Sequence, residues 1–360
     1  MAPSLKHLRV LILGASLTLA GPLFAQMGEV FPVWPSEAAQ EAPAIHGNRI
    51  VWHEFIPGPG DYDIVVTDIN TPEGIQGVIL SEPGDQMNPD VWEDTVVWQS
   101  LMTEPGESTH WDVWAARMFF METPETFNVS RVFENDEQMP RISGNTVVWE
   151  DGPLDNTSIY AADITDINQP LEFSIAAYDS KQVAPAIDRL RVVWQDDDPG
   201  DWDIYASDIW LRNDPREISV TPFEKQQTAP AISGNTIVWQ DQETGNWDIY
   251  AATIQGDCIV YLPPLTEDTS DQVNPAVDGQ IVVWQDSRHG DWDIYAAHIK
   301  TGQEFRITRH AANQVRPAVY GRVIVWQDDR DGYWQIYAMV LNDGPLTRER
   351  DACSEEEVLD

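Results

Sequence analysis

Carboxylates in short turns are the most frequent chemistry-bearing feature of this chain. Asp196, Asp197, Asp198 and Asp201 share one turn, Asp241 and Glu243 a second, Asp286 and Asp291 a third, and Asp328, Asp329 and Asp331 a fourth. Carboxylates and carbonyls in a tight loop are the hard oxygen ligands that Ca2+ takes. Asp197, Asp201, Asp291 and Asp331 are therefore the metal candidates, although their spacing is not that of an EF-hand. Asp and Gly also build such turns without any metal. The expected cofactor set is accordingly none, or Ca2+ alone.

His53 and Glu54 form the second chemical constellation. A carboxylate beside an imidazole suits general acid/base work. Adjacent residues on a strand point to opposite faces, however, which separates the two groups. His110, Arg141, Glu150, Arg316 and Tyr320 are further polar or aromatic departures from the local pattern. His289, His298 and His310 sit at unrelated positions, so no histidine metal cluster is indicated. No nucleophile elbow, phosphate loop or dinucleotide fingerprint is present.

These residues belong to a repeat. The strand tryptophan recurs as Trp52, Trp98, Trp149, Trp194, Trp239, Trp284 and Trp326, giving seven copies of a unit of about 45 residues. A glutamine precedes each copy as Gln40, Gln86, Gln138, Gln182, Gln227, Gln272 and Gln314, followed by a proline in a Gln-x-x-Pro loop. Each unit reads as four strands: Pro-Ala-Ile, then Val-Val-Trp-Gln-Asp, then Trp-Asp-Ile-Tyr-Ala, then a run ending in Ile-Thr. Gly234-Asn235 and Gly279-Gln280 turn between the first two strands.

Four antiparallel strands recurring at this period indicate an all-β, seven-bladed β-propeller. A lone four-stranded blade cannot cover both faces, whereas neighbours in a closed ring can. The large flat tryptophan fills the space between blades. Ring closure has two candidates. Phe31-Pro32-Val33-Trp34 precedes Gln40 at the fourth-strand spacing, and Pro345-Leu346-Thr347 resembles Pro264-Leu265-Thr266. The spacing favours the N-terminal strand.

Lys6, His7 and Arg9, then the apolar run Val10 to Leu19, then Leu23-Phe24-Ala25 before Gln26, read as a secretory signal peptide. The expected organisation is a signal peptide at 1–25, a closing strand at 26–39, the propeller at 40–347 and an acidic tail at 348–360. No later stretch is long and apolar enough for a transmembrane helix. Export permits a Cys258–Cys353 disulfide; the other possibility is two free thiols. With 60 Asp+Glu against 21 Lys+Arg the formal charge is -39, which argues against nucleic acid and anionic membranes. Hydrophobic residues at 42% suffice for a core, and two cysteines exclude a disulfide-dense scaffold.

The unit Pro-Ala-Ile-x-Gly-x-x-Ile-Val-Trp-Gln-Asp, Gly-x-Trp-Asp-Ile-Tyr, Ile-Thr resembles the TolB-like (WD-repeat-like) propeller repeat, in the Trp-Gln-Asp form of bacterial and archaeal cell-surface proteins. The resemblance covers residues 40–347 and is strongest in the last four copies. It implies a propeller in the envelope. TolB's own N-terminal domain has no counterpart, so the resemblance does not carry over the Tol-system role.

The expected function is that of an exported, non-catalytic platform, periplasmic or at the cell surface, binding an envelope protein or a glycan. Its binding residues are expected at the acidic mouth: Asp196, Asp241, Asp286 and Asp328, with Gln182, Gln227, Gln272 and Gln314. The alternative is a polysaccharide-active lyase or hydrolase sited in the same mouth, with His53 and Glu54 as the catalytic candidates.

Overall fold

The computed structural model describes residues 28–342, apart from 71–77, 104–108, 119–123, 131–134, 154–155, 178–179, 199, 211–215 and 257. The expected signal peptide, the acidic tail and Pro345-Leu346-Thr347 lie outside the described residues. Among those described, no helix is long and apolar enough to cross a membrane.

The chain forms a seven-bladed β-propeller of four-stranded antiparallel sheets. In blade five the strands are Gln227–Ser233, Thr236–Asp241, Asp248–Gln255 and Cys258–Tyr261, ordered from the axis outwards. Blade seven takes three strands from the C-terminal end, Gln314–Tyr320, Val323–Asp328 and Gln335–Val340. Its outer strand is Val30–Pro32, paired antiparallel as Val30 with Met339 and Pro32 with Tyr337. The N-terminal strand therefore closes the ring.

The core is a set of seven seams, and each holds one strand tryptophan at 0–1% exposure. Trp239 of blade five packs on Val193, Ile204 and Ala206 of blade four. Trp52 of blade one packs on Val325, Ile336 and Ala338 of blade seven, joined by Phe31 and Val33 of the closing segment. The other five repeat this relation to the preceding blade. Side chains two apart on a strand share a face. The Trp239 indole N–H accordingly donates to Asp241 (3.1 Å), and Trp284 and Trp326 do the same to Asp286 and Asp328.

The middle residue of Trp-Gln-Asp faces the other way and ties the next blade. Every innermost strand bulges at its third residue, which has φ of 50–53° in all seven blades (Ala42, Asn88, Met139, Ala184, Ala229, Asn274 and Arg316). The N–H of that residue donates to the middle side chain of the preceding blade: Ala229 to Gln195 at 2.9 Å, Asn274 to Gln240 at 2.8 Å, Arg316 to Gln285 at 2.8 Å, and Ala42 to Gln327 at 3.0 Å across the closure. The bulge also explains the proline. It occupies the irregular position of the register, where a missing ladder donor costs nothing.

The sequence reading is corrected at three points. The repeat glutamine is not in a loop: it opens the innermost strand, three residues before Pro. In blade three the residue at this position is Glu137, not Gln138, because the strand runs Glu137–Ser143 with Pro140 at its fourth place. The outer strand stops short of Ile-Thr. Its Thr instead turns inwards, where Thr221, Thr266 and Thr308 Oγ1 accept the N–H of Ile204, Ile249 and Ile294 at 2.7–2.8 Å.

Candidate functional site

The tip turns between second and third strands and the start of each innermost strand lie at one end of the ring. The Gly-Asn type turns lie at the other. Within the tip face, the residues expected to bind are largely buried. Gln182, Gln227, Gln272 and Gln314 are 0% exposed, and Asp196, Asp241, Asp286 and Asp328 are at 3% or less. Gln182 donates to the Ser180 carbonyl at 2.8 Å, and Gln272 to the Ser270 carbonyl at 2.6 Å. Each of the four aspartates accepts the backbone N–H two residues on, at 2.8–3.1 Å. Arg288 and Arg330 add ion pairs to Asp286 and Asp328. These side chains hold the turn and cannot also face a ligand.

His53 and Glu54 have the same fate. His53 is 1% exposed and occupies the middle position of its motif; its Nδ1 accepts the Asn88 N–H at 3.3 Å, the role glutamine plays elsewhere. Accepting that bond requires the unprotonated ring. Burial, then the positive charge of Arg316, lower its pKa to about 3. Glu54 is 7% exposed and holds the closing segment: Ser36 Oγ and Gln40 Nε2 donate to its two oxygens at 2.5 and 2.9 Å, and Trp52 Nε1 donates at 3.2 Å. The longer carboxylate replaces Asp where the N-terminal segment joins the ring.

A depressed histidine pKa stabilises the fold fully above pH 6.5, and that contribution falls away as pH drops towards 3. His53→Gln is therefore expected to leave stability unchanged at pH 8 and to raise it by about 2 kcal/mol at pH 5. Urea unfolding at the two pH values checks this, and an equal effect at both contradicts it.

Arg316 gives its backbone N–H to Gln285 at 2.8 Å and its side chain is exposed; the other departures are structural. Glu150 accepts the Ala184 N–H at 2.8 Å, Arg141 donates to the Pro140 carbonyl at 2.7 Å, and His110 lies 3.2 Å from Asp112. Tyr320 packs on His46 with centroids 4.5 Å apart, at the opposite end of the channel. Of the calcium candidates, Asp197 accepts the Lys181 N–H at 2.8 Å and Asp331 the Tyr337 hydroxyl at 2.8 Å, while Asp201 and Asp291 are exposed. Among the described residues no three His, Cys, Asp or Glu side chains gather so as to hold a metal ion. Cys258 is exposed, and Cys353 lies outside the described residues.

What the tip face does present is a crown of aromatics, which the sequence pattern alone puts inside the third strand. In blades four to seven that strand begins one residue later, leaving Trp202, Trp247, Trp292 and Trp334 before it, half-buried. Tyr62 and Trp111 hold the same place in blades one and two, and Thr157 in blade three. The backbone of each is fixed over a seam. The N–H of the next blade's glutamine donates to the carbonyls of Trp202, Trp247 and Trp292 at 2.7 Å and of Trp334 at 2.9 Å. The Trp247 N–H donates to Asp271 at 3.0 Å and that of Trp292 to Asn313 at 3.3 Å. None of these four indoles belongs to a core cluster or spends its N–H on a described residue, whereas the seam indoles of the same four blades are fully buried and Trp239, Trp284 and Trp326 donate to an aspartate. Exposed carboxylates (Asp198, Asp201, Glu243, Asp291 and Asp331) stand around them.

Comparison with solved structures places the same architecture in proteins of varied activity. The β-propeller domain of the trilobed protease from Pyrococcus furiosus, described as having an open velcro topology, matches with a TM-score of 0.63 at 14% identity over 92% of this chain and 99% of that one. The fold is a β-propeller. Oligogalacturonate lyase from Vibrio parahaemolyticus matches with a TM-score of 0.64 at 11% identity, over 87% of this chain and 93% of that chain. TolB from Acinetobacter baumannii matches at 0.48 and 16% identity, over 76% and 67%. No family model and no curated protein matches this sequence. At these identities the likeness concerns the fold, which hosts unrelated chemistries.

Proposed function

We propose that this protein is an exported binding platform of the periplasm or cell surface, holding an envelope protein or glycan on its tip face. One observation carries the reading. His53 and Glu54, the acid/base candidates, are absorbed by a seam and by the closure, while the tip face offers a recurrent rim of half-buried aromatics and exposed carboxylates. A recurrent rim suits an extended or multivalent partner, which can engage several blades at once. The charge of -39 favours a neutral or basic partner.

The test uses residues 26–360, immobilised and exposed to solubilised envelope and polysaccharides of the source organism, with calcium and with chelator. Replacing Asp198, Asp201, Glu243, Asp291 and Asp331 by their amides is expected to lower capture of a basic partner about tenfold. Replacing Leu190 and Trp210 by Ser, 49% and 67% exposed at the opposite end, is expected to leave capture unchanged. The reverse pattern overturns the choice of face.

A further inference from the structure

Resting on the platform reading, we propose that the aromatic crown binds neutral polysaccharide, one sugar unit per occupied blade. A pyranose presents an apolar C–H face and an edge of hydroxyls. Trp202, Trp247, Trp292 and Trp334 offer the matching surface: a partly open indole, an N–H left free by the described residues, and an exposed carboxylate in the adjoining turn (Asp201, Glu243, Asp291, Asp331). An aromatic wall with a few fixed polar groups is the usual composition of a small-ligand subsite. Carboxylates accept from sugar hydroxyls, and the indole N–H donates to them.

Pre-organisation supports this occupant. A weak sugar contact is worthwhile only if little ordering accompanies it. Here the carbonyl at each platform is already bonded by the next blade's glutamine N–H, and at Trp247 and Trp292 the N–H is bonded to a side-chain acceptor as well. Repetition supplies the rest. Four like platforms on consecutive blades let one chain engage several at once, so individually weak sites combine by effective concentration. Thr157 breaks the crown at blade three and Tyr62 weakens it at blade one, which confines the strongest stretch to blades four to seven. The surrounding carboxylates exclude a polyuronate, because like charges along the whole polymer repel.

Affinity gel electrophoresis separates the outcomes, with laminarin, dextran and galactomannan as neutral probes, polygalacturonate as the acidic one and chitosan as the basic one. At least one neutral polymer is expected to retard the protein at 0.5 M salt, and polygalacturonate is not. Trp247→Ala should weaken that retention about fivefold, Trp247→Phe about twofold, and the four alanines together should abolish it. Thermal melting of each variant reports whether it folds, and the single Phe variants stand in where the fourfold variant does not. Retention of a neutral polymer that is indifferent to these changes overturns the proposal, as does binding of polygalacturonate or salt-sensitive binding of chitosan alone. Capture of an envelope protein through the tip carboxylates, without any glycan, overturns this inference and leaves the platform reading standing. No partner of either kind on the tip face overturns both.

Discussion

Glu137→Gln is expected to stabilise the protein by about 3 kcal/mol at pH 7 and to flatten its stability between neutral and alkaline pH. In the other six blades the equivalent residue is a glutamine at 0% exposure. In five of the six, all but Gln227, its amide hydrogens reach loop carbonyls, such as Ser180 for Gln182 and Ala312 for Gln314 at 2.6–2.8 Å. Glu137 is 1% exposed, and neither of its oxygens has a hydrogen-bond partner of normal geometry. Burial, then the charges of Asp112 and Asp151, raise its pKa to about 9. The protonated form's contact with Asp112 acts in the same direction, and Ser130 offsets the rise only in part; Asp112 is also held by Asn128 at 2.9 Å and His110 at 3.2 Å, and Asp151 by Asn135 at 2.9 Å.

With the folded pKa above the unfolded one, the stability carried by protonated Glu137 is complete below pH 4.5 and drains away as pH rises to about 9. Gln carries the hydrogens at every pH. Urea unfolding at pH 5, 7 and 9 checks this: the gain should be near zero at pH 5 and grow with pH. A gain that does not grow with pH contradicts the assignment.

Trp239→Ala is expected to cost about 5 kcal/mol. Large-to-small changes at buried aromatics cost about 3–5 kcal/mol through lost transfer and residual cavity. Trp239 is 1% exposed between Val193, Ile204 and Val220 of blade four and Ile237 and Ile254 of blade five, so backbone on both sides resists collapse. The substitution also removes the indole N–H from Asp241, a carboxylate at 3% exposure. Trp239→Phe separates the two effects. It refills most of the space but leaves Asp241 without that donor, and should cost about 2 kcal/mol. Denaturant midpoints at constant slope give both numbers. A loss below 2 kcal/mol for the alanine variant contradicts a seam held by this residue.

The architecture was legible because its signals repeat. The strand tryptophan at a period of about 45 residues gives blade number, the four short runs of each unit give strand count, and the spacing of Phe31 to Trp34 before Gln40 favours the N-terminal closure. The site was less legible for the same reason. A residue that recurs in every copy serves what every copy needs, and at Asp241 and Gln227 that is the turn and the seam. Such recurrence suggests a rim because sequence shows that a carboxylate lies in a turn but not which way it faces. Glu137 had a signal: counting back three residues from Pro140, as from every other proline, reaches it and not Gln138. His53 and Glu54 departed from the pattern for structural reasons that only the closure reveals, since Ser36 lies 18 residues from Glu54 in sequence. The crown went unnoticed because Trp-Asp-Ile-Tyr reads as continuous strand, and the one-residue delay in strand onset depends on the tip bending over the seam.

Hydrogen exchange on residues 26–360, with and without the captured envelope partner at saturation, tests the assignment of the binding face most directly. The account predicts slower exchange in the tip turns at 197–202, 242–247, 287–292 and 329–334, and no change in the opposite turns at 189–190, 234–235, 279–280 and 321–322. Protection confined to the opposite turns, with the tips unchanged, would contradict it.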